Sequence, residues 1–332
     1  MSPSLKKNRI GAALVRHRAV DLKMLSPLAL IRTLGLGSGS PFVLLDSAGG
    51  SPDLCRYSFL AWDPRLEASV HSGKATVSGP EGRYVSEASD PFTFFRELLA
   101  ELRPAASPSA NDIGLPLIGG AFGMVGYDAG RYIERLPELA ADDLAIPEFH
   151  FVFPRRLIGY DHHNLQAHIL IEDPEPGEFE EVEKALLDQA DAPGAVLPDA
   201  LARNAFSASA ACRSNMTAES FKHMVRRAKE YIAAGDIFQS NLSQRLELDF
   251  NGDSLELYEA LRTVNPSPFA GYLDFGDYQI ISSSPERLVQ LSGRRAQTRP
   301  IAGTRRRGID IAEDENLKVE LNLDPKERAE HI

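Results

Sequence analysis

The chain has 332 residues, of which 43% are hydrophobic and 25% are charged, and its formal net charge is −11. This length suits one large domain or two, and the composition is typical of a soluble globular protein. The acidic balance argues against a general nucleic-acid or membrane-surface binder, which would carry a basic patch, and it favours a protein that handles any anionic substrate with local basic residues.

Two cysteines, Cys55 and Cys212, lie in unlike contexts, and the sequence has no Cys-x-x-Cys motif or Cys/His cluster. We therefore predict neither a disulfide framework nor a zinc site. The basic N-terminal stretch lacks a sustained apolar run, and no stretch of about 18 apolar residues occurs, so we predict neither a signal peptide nor a membrane span. These features together predict a cytoplasmic protein.

The N-terminal half of the chain predicts short strands mixed with helices. Amphipathic patterns that begin at a proline predict two helices, over residues 27–34 and 91–102. Short apolar runs predict strands over residues 41–47 and 56–62, and a strand pair over residues 149–160 and 165–171.

The composition changes after residue 175, where an acidic helix is predicted over residues 178–189 and a stretch rich in Ala, Pro and Ser follows to residue 215. Such a stretch is typical of a linker between domains. We therefore predict a first domain over residues 1–175, an acidic helix and linker over residues 176–215, and a second domain over residues 216–332.

The second predicted domain opens with a helix that Thr217 caps and Gly235 ends. Residues 238–250 then alternate apolar and polar side chains, which predicts a strand. Its polar face holds Gln239, Asn241, Ser243 and Arg245. That face is either a solvent-exposed side of a sheet or the wall of a cavity with hydrogen-bonding groups.

The remaining residues predict two hairpins and a charged helical region. The hairpins are predicted over residues 269–282 and 287–299, with turns at Phe275-Gly-Asp277 and Ser292-Gly293. The charged helical region covers residues 310–332 and is broken at Pro325.

Four segments in this half resemble, in order, the chorismate-binding domain of the chorismate-utilising enzymes. They are GDIFQSNLSQR (235–245), NPSPFAGYLDFGDYQIISSSPERLV (265–289), TRPIAGTRRRG (298–308) and KERAEHI (326–332). Upstream, LLDSA (44–48), RYSFLAWDP (56–64) and GYDAGRYIERLP (126–137) resemble the N-terminal domain of the two aminating members. The resemblance implies an α/β (α+β) fold like that of anthranilate synthase component I, with a large β-sandwich core and outer helices.

The resemblance also bears on which nucleophile attacks chorismate. Members that add water carry a lysine as general base at the position of Gln239, and glutamine cannot act as a base near neutral pH. The chain is therefore expected to use ammonia, supplied by a glutamine amidotransferase partner.

Two aminating reactions remain, and the motifs disagree between them. Aminodeoxychorismate synthase resembles an enzyme with a nucleophilic lysine in a Pro-Ile-Lys-Gly-Thr motif, and Ala302 stands at that position here, which favours anthranilate synthase. Asn241, Gly130, Leu-Leu-Asp-Ser-Ala and Ser-Pro-Glu-Arg-Leu favour aminodeoxychorismate synthase component I of the 4-aminobenzoate and folate pathway. We expect the latter, with ammonia reacting without a lysine adduct, and keep anthranilate synthase component I of tryptophan biosynthesis as the alternative.

The family motifs assign roles to individual positions. Glu286 matches the general acid/base that protonates the departing hydroxyl, Thr304 and the Gly303 backbone match groups that hydrogen-bond the substrate, and Glu330 matches a Mg²⁺ ligand. Thr304 and Gln239 are predicted with Glu286 as catalytic residues, and further candidates for substrate binding are Ala302, Asn241, Arg245 and His331.

A second site is implied by two segments that resemble the family's tryptophan pocket. In anthranilate synthase that pocket mediates feedback inhibition, and in the other enzyme it can be purely structural. Its members here are Leu45, Asp46, Ser47, Asn265, Pro266, Ser267, Pro268 and Phe269.

Family members continue well beyond the KERAEH helix, so the chain is expected to be a fragment that is inactive without the remaining motifs. The alternative is a non-catalytic module that binds tryptophan or the glutaminase subunit.

Overall fold

The structure is a computed structural model that describes residues 13–37, 39–189 and 212–331. The chain forms two compact units: residues 1–193 together with 265–332, and residues 194–264. The predicted domain bounds at residues 175 and 216 stay a prediction. No helix in the described ranges is both long and apolar enough to cross a membrane.

The strands of the described chain are numbered in sequence order. They are β1 (Val15–Asp21), β2 (Phe42–Asp46), β3 (Tyr57–His71), β4 (Lys74–Gly79), β5 (Gly82–Glu87), β6 (Phe122–Val125), β7 (Phe149–Asp161), β8 (Gln166–Glu172), β9 (Arg213–Ser214), β10 (Leu246–Glu247), β11 (Phe269–Asp274), β12 (Gln279–Ser284), β13 (Arg287–Ser292) and β14 (Arg295–Arg299).

The helices of the described chain are numbered in the same way. They are α1 (Pro27–Thr33), α2 (Pro91–Glu101), α3 (Ala110–Ile113), α4 (Glu178–Asp188), α5 (Ala218–Ala234), α6 (Ser254–Val264), α7 (Ile311–Leu323) and α8 (Pro325–His331). A 3₁₀ helix covers Tyr127–Tyr132. The helices predicted over residues 27–34, 91–102 and 178–189, the two hairpins and the break at Pro325 are confirmed.

One ten-stranded antiparallel sheet dominates the first unit, with the order β1-β8-β7-β3-β2-β11-β12. Strand β4 pairs with β3 and β5, and β6 pairs with β7. The expected mixed fold with helices and a large β core is confirmed. Because β11 pairs with β2, the chain from Asn265 onward belongs to the same unit as the N-terminal residues.

Two clusters of buried apolar side chains form the core of this unit. One contains Phe95 and Leu98 from α2 together with Phe149 and Phe153 from β7. The other includes Val43 from β2, Leu157 from β7, Leu170 from β8 and Leu273 from β11. Val152 of β7 also belongs to the second cluster. Because successive side chains of a strand point to opposite faces, the neighbours Val152 and Phe153 lie in different clusters.

Close backbone packing explains the glycine in β6. A Cβ atom on Gly123 would lie 1.9 Å from the carbonyl oxygen of His150, which belongs to the paired strand β7. Backbone atoms cannot yield to such a contact, so any larger residue would displace β6 from the sheet.

Helix α5 of the second unit forms as its terminal residues predict. The Thr217 side chain accepts a hydrogen bond of 3.1 Å from the Ser220 N–H, and Gly235 ends the helix with φ of +83°. An uncapped N–H and an L-residue at positive φ would both be unfavourable here, which is why Thr and Gly mark these ends.

The strand predicted over residues 238–250 is wrong. Only Leu246–Glu247 form a strand in this stretch, and they pair with Arg213–Ser214. Gln239, Asn241, Ser243 and Arg245 therefore lie on irregular backbone and not on one face of a strand. Alternation of side chains predicts which faces a strand would have, but a strand also needs a partner, and within the described ranges β9 offers one over two residues only.

Candidate active site

The register of the β13–β14 hairpin brings Glu286 to the turn formed by residues 300–304. Arg287 pairs with Arg299, so the residues that flank this pair lie side by side at the open end of the hairpin. The Oε1 atom of Glu286 accepts a hydrogen bond of 3.1 Å from the Ile301 N–H. The Glu286 side chain is otherwise exposed, so its carboxylate is held in place and remains accessible from solvent.

The other side of the same turn is attached to the corner between α7 and α8. Arg305 directly follows Thr304, and its guanidinium bonds three carboxylates. They are Glu320 at 2.9 Å, Asp324 at 2.8 Å and Glu327 at 3.1 Å. The N–H of Glu327 and that of Lys326 donate to Asp324 and, with Arg305, lower the pKa of this carboxyl.

Gly303 is a glycine because the Glu327 side chain covers it. A Cβ atom at Gly303 would lie 1.9 Å from Oε2 and 2.9 Å from Cβ of Glu327. Its neighbour Ala302 is half-buried and Thr304 is exposed. The structure therefore brings Glu286, Ala302, Gly303 and Thr304 together around one turn, in the first unit.

The Mg²⁺ site expected at Glu330 is not assembled by the described residues. Glu330 lies exposed on α8, and among the described residues no group of three or more His, Cys, Asp or Glu side chains is arranged to hold a metal ion. Mg²⁺ is usually bound through one or two carboxylates, with waters and substrate oxygens completing its octahedral coordination. Glu330 as a metal ligand stays a prediction, and the side chain of His331 lies outside the described part.

Three further predicted site residues belong to the second unit. Gln239 and Asn241 are exposed. Arg245 forms an ion pair of 2.9 Å with Glu247, and its backbone N–H donates to the side chain of Asn215 at 3.0 Å. Their predicted roles in substrate binding stay predictions.

The two segments of the predicted tryptophan pocket lie next to each other in the first unit. Leu45 and Asp46 of β2 pair with Gly271 and Ala270 of β11. The N–H of Ala48 then donates to the carbonyl of Ser267 at 3.1 Å. The LLDSA segment and the NPSPF segment therefore meet through backbone contacts, although they are distant in the chain.

Sequence reasoning missed a serine beneath this pocket. Ser58 and Asp46 are 1% and 3% exposed. The Ser58 Oγ donates to Asp46 Oδ1 at 3.0 Å and accepts from the Ser47 N–H at 3.0 Å. Its one proton is thus used, so His162 Nε2, at 2.8 Å from the same oxygen, must be a donor. A serine within the otherwise apolar run of residues 57–62 was the one available signal.

An ion pair connects the loop after β2 with the β13–β14 hairpin, and the same loop carries Cys55. Burial raises the pKa of the Cys55 thiol, and the nearby charges of Asp46 and Asp53 add to this effect. Asp53 also pairs with Arg299 of β14 at 2.9 Å. Hydrogen bonds from Ser51 and from Arg299 lower the pKa of Asp53.

The chain is similar to curated proteins of two names. The chain is 36% identical over 299 residues to anthranilate synthase component 1 of Acetivibrio thermocellus, which covers 87% of the chain and 60% of that protein. It is 36% identical over 297 residues to aminodeoxychorismate synthase component 1 of Bacillus subtilis, with coverage of 87% and 60%. The chain thus spans about 60% of the length of these curated relatives.

A solved structure has the same fold. Anthranilate synthase component I from Streptococcus pneumoniae TIGR4 superimposes with a TM-score of 0.64 at 30% identity, over 85% of this chain and 60% of that one. The sequence profile of the chorismate binding enzymes matches residues 41–332, which include every segment around the Glu286 turn. The chain therefore belongs to the chorismate binding enzyme family.

Proposed function

We propose that this chain provides part of the site at which ammonia replaces the hydroxyl group of chorismate, with aminodeoxychorismate as the product. The observation that carries the proposal is the hydrogen bond of 3.1 Å between Glu286 and the Ile301 N–H. It holds an accessible carboxyl group beside the turn whose Gly303 and Thr304 match the family's substrate-binding positions.

The proposed reaction requires a proton donor beside the hydroxyl group that leaves chorismate. As the C–N bond forms, the C–O bond to the hydroxyl breaks, and the hydroxyl leaves as water once Glu286 gives it a proton. The Ile301 N–H keeps one carboxyl oxygen of Glu286 in position, which leaves the other oxygen for the substrate. Gln239 has no basic nitrogen, and this supports ammonia over water as the nucleophile.

The proposal also names the product, and the residues support two candidates for it. Asn241, Gly130 and Asp46 in LLDSA support aminodeoxychorismate synthase component I. Ala302 supports a second candidate, anthranilate synthase component I, because the turn then lacks a lysine nucleophile. Relatives of both names match the chain at 36% identity.

Partners and cofactors are proposed on the same basis. The relatives are named as component 1 of their enzymes, and we propose that a glutamine amidotransferase subunit delivers the ammonia. Mg²⁺ with Glu330 as a ligand and tryptophan in the pocket between LLDSA and NPSPF belong to the proposal too. Cys55 and Cys212 are both free thiols, which suits the reducing cytoplasm.

Product analysis tests this proposal. The complete protein is incubated with chorismate, ammonium chloride and magnesium chloride, and products are separated by chromatography. 4-Aminobenzoate that forms only after a separate lyase is added supports the first candidate. Anthranilate fluorescence without a lyase establishes the second. A protein that binds chorismate but converts none would instead be a binding module.

A substitution at Glu286 tests its proposed role as proton donor. Glu286→Gln keeps the shape and the acceptor for the Ile301 N–H but cannot donate a carboxylic proton, so turnover is expected to fall by about 100-fold or more. Glu315→Gln on α7 is the matched control, because Glu315 is exposed and pairs only with Lys318 within the described residues. Turnover of Glu286→Gln within about twofold of that control would remove Glu286 from the mechanism.

A further inference from the structure

A cavity of about 300 Å³ lies in the first unit, against one end of the large sheet. Its walls come from β1, β3, β7 and β8, from the C-terminal end of α2 and from the turn before β6. Apolar side chains form most of the wall, including Leu99, Ile118, Phe153 and Leu157. No residue of the Glu286 turn or of the predicted tryptophan pocket lines it.

Apart from Arg103, the charged side chains of this cavity form ion pairs, either with each other or with carboxylates just outside the cavity. Arg65 forms an ion pair with Glu172, and these side chains are only 16% and 12% exposed. Arg155 donates to Asp63 at 2.9 Å and to Glu178 at 3.0 Å. Buried charges of this kind are stable only when paired, so this group already has its counter-ions.

Arg103 is the exception. It follows Leu102, the C-cap residue of α2, lines the cavity and is exposed. It forms no ion pair with any other residue in the described ranges. The cavity therefore combines a mostly apolar wall with one arginine, Arg103, that forms no ion pair with any described residue.

The walls are preformed. The N–H of Val15 donates to the Ala106 carbonyl at 2.9 Å, and the N–H of Ala105 donates to the Ala13 carbonyl at 2.9 Å, so the segment after α2 is attached to β1. Gly119 and Gly120 have φ of +153° and +116°, and a Cβ on either would meet nothing within 4 Å. Backbone hydrogen bonds thus hold the segment after α2 against the chain around β1, and the turn at Gly119 and Gly120 borders open space.

We propose that this cavity is a binding site for an aromatic monocarboxylate. The carboxylate pairs with Arg103, whose planar guanidinium suits a carboxylate in two parallel hydrogen bonds. The ring lies among Leu99, Ile118 and Phe153, where it is removed from water and meets an aromatic edge or face. Cavities of a few hundred Å³ hold ligands of one ring or two fused rings.

Binding of benzoate, 2-naphthoate and the neutral isostere benzamide to the complete protein tests this site by calorimetry. Both carboxylates are expected to bind, and benzamide at least about 10-fold more weakly, because it lacks the charge that Arg103 recognises. Arg103→Gln is expected to weaken both carboxylates about 10-fold and to leave benzamide unchanged. Arg103→Lys should retain most of the affinity.

Two matched controls separate the cavity from other places on the protein. Arg96→Gln removes an arginine on α2 that lines no part of the cavity, and this variant should bind all three probes as the wild type does. Leu99→Trp fills the cavity and should abolish binding of all three probes, whereas Val85→Trp on exposed β5 should not. Thermal unfolding of each variant shows that it is folded.

The proposal is overturned by either of two results. One is that neither carboxylate binds to the folded protein at about 10 mM, far above the Kd expected for a specific site. The other is that carboxylates bind equally well to wild type, Arg103→Gln and Leu99→Trp, which would put them in the tryptophan pocket or beside Glu286. Neither result bears on amination, which the product analysis tests separately.

Discussion

At the scale of single residues, buried polar side chains in the first unit are joined into short hydrogen-bonded chains. His150 is 6% exposed, with Nε2 at 2.6 Å from Glu67 and Nδ1 at 2.7 Å from the Tyr278 hydroxyl. Its ring stacks on Phe275 with 3.9 Å between centroids. Burial raises the pKa of Tyr278 to about 12, so the phenol stays protonated. A His150 ring whose Nδ1 accepts from the Tyr278 hydroxyl and whose Nε2 donates to Glu67 satisfies every group.

The hydrogen bonds around His150 predict that Tyr278→Phe lowers the stability of the protein. The variant leaves Nδ1 of a buried histidine without its partner, and the unfolding free energy should fall by about 1–2 kcal/mol. Urea unfolding at pH 7 measures the unfolding free energy of the variant and of the wild type. Tyr84→Phe is the control, because the Tyr84 hydroxyl bonds the Glu81 carbonyl at the surface and should matter by less than about 0.5 kcal/mol. Equal losses in the two variants would contradict the role given to His150.

Among the elements, α4 is attached to the sheet through its first residue. Glu178 is 8% exposed and accepts hydrogen bonds from Arg155 and from Arg156, both on β7. The Arg155 hydrogen bond is the main cause that lowers the pKa of Glu178 to about 2, from 4.5. The same contact raises the pKa of Arg155. Deprotonated Glu178 therefore favours the folded state.

The pH dependence of this contact can be predicted with its sign. A carboxyl whose pKa is lowered on folding stabilises the protein above its unfolded pKa and loses that effect as the pH falls. Glu178→Gln should lower the unfolding free energy by about 2–3 kcal/mol at pH 7. The difference from wild type should shrink between pH 4.5 and about 2, the two pKa values of Glu178.

Urea unfolding at pH 7 and at pH 3.5 measures this difference. Glu181→Gln is the control on the same helix, because its side chain is 63% exposed and lies 3.9 Å from Arg156. An exposed pair at that distance contributes about 0–1 kcal/mol. A Glu178→Gln deficit that is as large at pH 3.5 as at pH 7 would show that packing, and not charge, attaches α4.

For the whole molecule, the ten-stranded sheet organises the first unit. Strand β3 has 15 residues and pairs with β2, β4 and β7, so both of its edges are covered. The β13–β14 hairpin is a separate two-stranded sheet whose side chains are almost all exposed. A sheet of only two strands is marginally stable in water, whereas a wide sheet with buried faces is much more stable.

Native-state hydrogen exchange should follow this difference. Amides of β3, β7 and β8 should exchange only on global unfolding, and those of β13 and β14 through local opening at much lower free energy. Mass spectrometry of peptic fragments measures both. Protection of the hairpin equal to that of β7 would mean that it does not behave as an independent small sheet.

The helices and hairpins could be read from the sequence because their signals are local. Thr217 and Gly235 mark the ends of α5, Pro91 and Asp90 mark the start of α2, and Gly276 and Gly293 mark the hairpin turns. Each signal acts on backbone groups within about four residues, so no distant part of the chain is needed to interpret it.

The candidate site was only partly predictable. Glu286, Gly303 and Thr304 were found through resemblance to a family, since nothing in their spacing predicts that they meet. Ser58 and His162 were missed, because a hydroxyl inside a strand becomes informative only when its buried partner is known. The strand predicted over residues 238–250 failed for the same reason, since its pattern did not identify a partner strand.

By itself, then, the sequence determined the family, most helices, the hairpins and the residues for the proposed chemistry. Only the tertiary structure decided that β2 pairs with β11, that Glu286 reaches Ile301, that Glu178 meets Arg155 and that a cavity opens at Arg103. The physical reason is the separation along the chain of the residues that interact. Caps and turns depend on neighbouring residues, whereas strand pairing, burial and cavities depend on which distant segments the fold brings together.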